Sequence, residues 1–264
     1  MAIKISKKLK SEITDLVQRQ NVEALLKEKS AGLCYLCLTP FNYASDNIEA
    51  DHDTPADLGG ETTIENLNLT HADCNRFKKN NPSILVKSYL PFKKFMLENE
   101  AANYNVVGRN FFKVDPKPIC IENINLEKKQ FDLHFPNDTF SRQIPFFSDS
   151  VPNRKEDIIY AYLPVPIKAI YNDSLQPRPI KLSQIWKLFI DLHSNPLHEP
   201  ASVRLDTKFR NGTNKLLMFD GQHKTASKIL TQMNSLDIEN NLIDVKIYLN
   251  LEEESVTYLV NSIQ

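Results

Sequence analysis

The sequence predicts an α+β protein made of two domains, and three observations carry that expectation. Between Cys34 and Asn80, soft metal donors bracket a strand–turn–strand pattern that runs into a helix. Helical periodicity lies on both sides of that stretch. Beyond about residue 100, short β patterns take over and then alternate with helices. The expected division is 1–100 and 101–264, with the junction in the polar run ENEAANY from Glu98 to Tyr104.

Composition narrows the function classes. The formal net charge is -1, so no global basic field advertises nucleic acid, and any such binding needs a local patch. The basic start MAIKISKKLK is followed by no apolar core, which excludes a secretory signal there, and no segment is apolar enough to span a bilayer. The expected compartment is the cytoplasm. Of the four Cys, Cys34, Cys37 and Cys74 cluster in the sequence, a spacing that reads as metal binding rather than as a disulfide frame. Cys120, in the apolar run PICIENI, reads as a buried, inert thiol.

Taken in order, residues 5–28 place Ile5, Leu9, Ile13, Leu16, Val17, Leu25 and Leu26 at helical spacing, which predicts one amphipathic helix. Its Lys7, Lys8 and Lys10 either touch phosphate or form a solvated face. Gly32 ends it, and the CYLC turn follows. Asn47–His52 is a strand candidate, Gly59-Gly60 a turn, and Glu65–Thr70 a returning strand or loop. A helix is expected from His71 to about Asn80 and another from Ser83 through Met96, separated by Asn81-Pro82. Residues 105–163 read as β-rich, with a turn at Pro136-Asn137-Asp138; Pro164–Pro179 reads as irregular. Helices are expected around Ile185–Leu192, Thr225–Met233 and Leu251–Ile263, and strands at Val203–Leu205, Leu216–Phe219 and Val245–Leu249. A turn at Arg210-Asn211-Gly212 joins the first two of those strands. The chain stops in VTYLVNSIQ without a clear terminator, so a fragment of a longer protein is expected.

Two donor sets interleave in the N-terminal stretch. Cys34 and Cys37 form a C-x-x-C knuckle, and His71 and Cys74 an H-x-x-C pair at a helix start. Four N/S donors make a closed tetrahedral Zn²⁺ site, and closed sites are structural. The hard set is Asp51 and Asn75. If strand and helix pack together, these two could share Mg²⁺ or Mn²⁺, which accept such oxygens. His52 would lie beside the ion and take a proton from an attacking water. Asn66 could tie the loop and orient His52. Arg76, Lys78 and Lys79 either hold phosphates or form a solvated helix face.

The pattern CYLC, EADHDTPADLGG, ENLNLTHADCNRFK resembles the HNH endonucleases of the ββα-metal class. That resemblance implies a DNA phosphodiester hydrolase with His52 as general base, Asp51 and Asn75 on a catalytic divalent ion, and Asn66 as the orienting residue. His71 stands where the family has the first Cys of its second zinc pair. Double-strand cutting would need two such sites, hence a homodimer. The alternative is a non-catalytic zinc knuckle that binds DNA or docks a partner.

A second candidate lies in LLMFDGQHK, residues 216–224, where an apolar strand gives way to a helix; such a turn suits an anion. FDGQHK resembles the DGQHR-domain proteins, and the order of elements from 162 to 248 is similar to ParB/sulfiredoxin-like α/β domains. The resemblance implies Asp220, Gly221, Gln222, His223 and Lys224, with Arg178, as contacts for nucleotide phosphates or DNA. Lys224 replaces the family's Arg, keeping charge but losing the bidentate fork. A helix cap is the alternative role for Asp220. DGQHR proteins accompany DNA-modification or phage-defence systems, and the resemblance suggests that context. In a third possibility the C-terminal domain hydrolyses nucleotide and gates the nuclease.

Overall fold

A computed structural model describes residues 3–135, 141–150, 156–176, 178–195, 199–233 and 241–262. The chain divides into two units, residues 1–94 and 95–264. Both mix helix and strand, so the fold is α+β.

In the first unit the expected single N-terminal helix is two: α1 (Lys7–Glu12) and α2 (Leu16–Ser30). Local capping makes the break. Ser6 accepts from Leu9 N–H and Asp15 from Gln18 N–H, so each helix has its own N-cap. Ile13, between them, is buried, whereas Leu16 and Val17, expected on the apolar side, are exposed. Strands β1 (Ile48–His52) and β2 (Leu67–His71) pair antiparallel, with Ile48 opposite His71 and His52 opposite Leu67. Helix α3 (Ala72–Lys78) starts at the residue after β2, and α4 (Ser83–Glu98) follows Pro82. Ile13, Val22, Leu26, Leu36, Leu67, Leu69, Val86 and Phe92 are buried in this unit, and Phe77 stacks on Tyr89.

The second unit opens with α5 (Tyr104–Val107) and a helical turn over Gly108–Phe112, where β structure was expected. Next come β3 (Ile119–Asn125), β4 (Gln130–His134), β5 (Ser141–Pro145), β6 (Phe147–Asp149), β7 (Ile158–Pro166) and β8 (Ile170–Asn172). The last two lie in or reach into a stretch expected to be irregular: β7 runs through Pro164 to Pro166 and keeps its pairing with β12 there. The turn expected at residues 136–138 lies outside the described residues. Then follow α6 (Leu182–Ser194), β9 (Ala201–Leu205), β10 (Gly212–Asn214), β11 (Leu216–Asp220), α7 (Gln222–Thr231), β12 (Leu242–Tyr248) and α8 (Glu253–Ser262). Gly212 thus opens a short strand rather than completing a turn.

Among the described residues of this unit two sheets form, ordered β10-β3-β4-β5 and β6-β7-β12-β9-β11-β8. The larger is mixed: β12 and β9 run parallel, as do β11 and β8, and the other pairs are antiparallel. Successive residues of β11 serve opposite faces. Met218 accepts a hydrogen bond from Thr225 of α7, whereas Phe219 packs with Leu251 and Val256 of the α8 region. No helix among the described residues is long and apolar enough to cross a membrane.

Candidate active site and metal centre

Main-chain geometry builds the knuckle. Ala31 and Gly32 take left-handed conformations that end α2, Cys34 N–H donates to Thr39 C=O, and Tyr35 N–H donates to Leu69 C=O of β2. The last bond ties the knuckle to the strand that delivers His71. One donor atom from each of Cys34, Cys37, His71 and Cys74 lies within 4.8 Å of every other. A tetrahedral zinc with Zn–S near 2.3 Å sets its ligands ~3.8 Å apart, so this donor set fits zinc. His71 is oriented from behind. Its Nδ1 lies 3.4 Å from Cys37 Sγ, while Nε2 sits 3.2 Å from Asp46 Oδ2, the carboxylate–histidine arrangement that fixes a ligating tautomer. His71 N–H also donates to Cys34 Sγ.

The three thiols share protons unequally. Cys37 is drawn far down because Cys34 and then Cys74 donate to it; Cys34 is pushed up by its bond to Cys37, against the pull of Cys74, and Cys74 by its bonds to Cys34 and Cys37. Binding zinc would release the remaining protons, so uptake weakens in acid.

At the end of β1 the expected hard ligands each hold a different partner. Asp51 Oδ2 lies 3.0 Å from Lys78 Nζ, and Asn75 Nδ2 donates to Glu49 Oε2 at 3.0 Å. Two-residue alternation puts Glu49 and Asp51 on the same side of β1, and both meet α3 there. Glu49 was missed in the sequence, although its place two residues before Asp51 signals it. Burial pushes the Asp51 carboxyl above the usual range, and Lys78, which pulls the other way, does not offset it. Lys78 is correspondingly 1% exposed, so the expectation that it holds phosphate is corrected: its ammonium is spent on Asp51. Arg76 pairs with Asp73 and stays exposed, as does Lys79.

His52 takes the alternate direction. Its Nε2 lies 3.0 Å from Thr62 Oγ1, and that hydroxyl donates to Glu12 Oε2 at 3.0 Å. With its only proton committed to Glu12, Thr62 accepts from His52 Nε2–H, which leaves Nδ1 as the basic nitrogen of the neutral ring. Asn66 spends its amide on the loop backbone. Oδ1 accepts from Thr54 N–H, and Nδ2 donates to Thr54 C=O and Glu61 C=O. It closes the loop that carries Thr62. Gly60 is required there, since a Cβ would sit 1.8 Å from Thr54 O. Lys29, also missed, donates to Ile64, Glu65 and Leu67 carbonyls and pins the far side of the loop.

In the second unit all six expected residues line one cleft of about 350 Å³, with Gln176, Lys181 and Gln184. Gly221 takes φ 92 and caps α7 without a side-chain bond, so the cap role for Asp220 is not realised. A Cβ on Gly221 would meet Ala201 at 2.9 Å. Gln222 Nε2 donates to Arg178 C=O, and Arg178 in turn donates to Gln176 Oε1. Gln222 Oε1 is buried without a hydrogen-bond partner among the described residues. His223 Nε2 accepts from Lys181 N–H, and burial, followed by Arg178 and Lys181, holds its pKa down.

Residues 34–81 match the family model for HNH endonucleases. That segment holds the knuckle, both strands, the Asn66 loop and α3. It supports nuclease chemistry, with DNA as substrate, for this part of the chain. No curated protein and no solved structure matches the chain.

Proposed function

We propose that this protein is a metal-dependent HNH endonuclease whose N-terminal unit hydrolyses DNA phosphodiester bonds. The observation that carries the reading is the family match over 34–81 together with a half-buried His52 held by a Thr62–Glu12 relay beside an acidic strand end. His52 Nδ1 accepts the proton of the attacking water, and Thr62, fixed by Glu12, holds the ring in the tautomer that presents it. Asp51 and Asn75 hold the hard cation, Mg²⁺ or Mn²⁺, with Glu49 beside them. Their oxygens are of the type such an ion accepts, and the half-buried, undercompensated Asp51 carboxylate gains from added positive charge. When bound, the cation stabilises charge on the phosphorane and the leaving oxygen. Asn66 is a positioning residue that holds the loop carrying Thr62. Arg76 and Lys79 meet the DNA backbone.

The second unit, similar to ParB/DGQHR proteins in its FDGQHK turn, receives a nucleotide phosphate or DNA phosphate in the cleft around Gly221, with Arg178 and Lys224 as its cations. A DNA-modification or defence setting and a homodimer that cuts both strands follow from the same reading. Lys224→Ala should weaken the binding of nucleotide or DNA by this unit.

Plasmid nicking tests the central proposal. Cleavage should require Mg²⁺ or Mn²⁺, stop in EDTA and fall by about 10²–10⁴-fold in His52→Ala. Equal activity in wild type and variant would remove His52 from the chemistry. DNA retention in a gel shift without cleavage under any divalent ion would favour the non-catalytic binder.

A further inference from the structure

A second set of metal-capable side chains lies far along the chain from the knuckle, on the β10-β3-β4-β5 sheet. From its apolar neighbours, Cys120 is expected to be a buried, inert thiol. Instead β3 presents it, half-exposed, on the polar face of this sheet. Alternation explains this. Ile119 and Ile121 of β3 and Phe131 and Leu133 of β4 turn inward and are fully buried, so Cys120, Glu122, Asp132 and His134 turn outward. Register then brings three of these together. Cys120 stands directly opposite His134 in the antiparallel ladder, and Glu122 is the next residue of β3 on that face. Regular pairing breaks immediately beyond Glu122.

The spacing fits one ion. Cys120 Sγ lies 3.7 Å from Glu122 Oε1, and His134 Nε2 lies 3.9 Å from the same oxygen. All three donor atoms fall within 4.8 Å of one another. The corresponding edges of a tetrahedral zinc site are about 3.4–3.6 Å, from ordinary Zn–S, Zn–N and Zn–O lengths. Small rotamer adjustments cover the difference. The chemistry of the set is specific as well. A thiolate, an imidazole and a carboxylate together select a borderline transition metal over Mg²⁺ or Ca²⁺. Asp132, the other carboxylate of this face, is occupied by Asn123 Nδ2 at 2.8 Å.

We propose that Cys120, Glu122 and His134 form a second zinc-type site, distinct from the Cys34–Cys37–His71–Cys74 cluster. It supplies three protein ligands from two adjacent strands. The fourth position faces solvent on the Glu122 side and takes water or an external ligand, unlike the closed knuckle. The site binds zinc more weakly than the knuckle, because one donor fewer is offered and Glu122 is exposed.

Metal analysis of the full-length protein tests this. Zinc-saturated wild type should hold a second equivalent that a mild chelator strips first. Cys120→Ser and Glu122→Gln should each lose that equivalent and keep the first, with unchanged far-UV circular dichroism. Cobalt provides a separate readout: adding Co²⁺ after the knuckle is filled with zinc should produce a thiolate-to-cobalt band in wild type that Cys120→Ser lacks. Should either variant retain the full zinc content, or should the cobalt band survive in Cys120→Ser, the site does not exist. Glu122→Gln keeps the test decisive if the cysteine variant misfolds, since an exposed carboxamide has no part in the core.

Discussion

The knuckle and the end of β1 lie side by side in the first unit, yet they assemble their donors in different ways. At the knuckle, two short spacings and one strand-to-helix junction force four soft donors together, and all four converge. At β1 the hard donors come from a strand and a helix whose packing no short spacing fixes. There Asp51 meets Lys78, and Asn75 meets Glu49. Local covalent geometry gathers the soft donor set directly, whereas the hard set depends on how two elements dock.

The sharpest way to break this comparison is to remove zinc. If the knuckle is what holds β2 and α3 in place, Cys34→Ser or a strong chelator should unfold the first unit, at a cost on the order of 10 kcal/mol of apparent stability. Thermal melts and limited proteolysis would report it. A first unit that melts unchanged without zinc would leave the knuckle no structural role.

Gly60→Ala should come next. The added Cβ overlaps Thr54 O and crowds Asn66 Nδ2, so the loop must open and release Thr62. A loss of about 2–4 kcal/mol in denaturant unfolding is expected, with nicking falling along with it. Retained stability would mean that the Asn66 loop does not matter.

Asp51 sharpens the comparison through pH. Its folded pKa is raised by burial above the unfolded value, so protonation is favoured by folding, and the ionised form costs stability that is fully felt above the folded pKa. The proposed cation would need the ionised form. The Mg²⁺ concentration for half-maximal cleavage should therefore climb as pH falls through that raised pKa. Lys78→Met removes a charge that lowers the Asp51 pKa, and should move this acid limb to higher pH. A pH–rate profile that stays put in the variant would separate Asp51 from metal uptake.

The smallest effect belongs to the exposed cations. Arg76→Ala and Lys79→Ala should each reduce the salt slope of DNA binding by about one, with little change in stability. An unchanged slope would put the DNA path elsewhere.

How much was legible follows the same division. The convergence of the four soft donors could be read because the C-x-x-C and H-x-x-C spacings constrain them locally. The strand, turn and helix between them could be read from Gly59-Gly60 and Pro82. Periodicity, by contrast, ran straight through Ile13 and Asp15 and suggested one helix where two caps make two. Lys78 looked like its basic neighbours Arg76 and Lys79, and only its position at the end of α3, over Asp51, turned it inward. Cys120 looked buried because it stands among isoleucines, yet strand alternation sends it the opposite way from them.

By itself, then, the sequence determined the donor types, their short-range pairings and the α+β character, since each of these depends on neighbours a few residues apart. Tertiary structure alone decided which carboxylate faces which cation, which nitrogen of His52 is left basic, that Arg178 joins the Gly221 turn from more than forty positions away, and that Cys120 meets His134 across a ladder. Those contacts depend on register and packing between elements distant in the chain, and residue order does not carry that information.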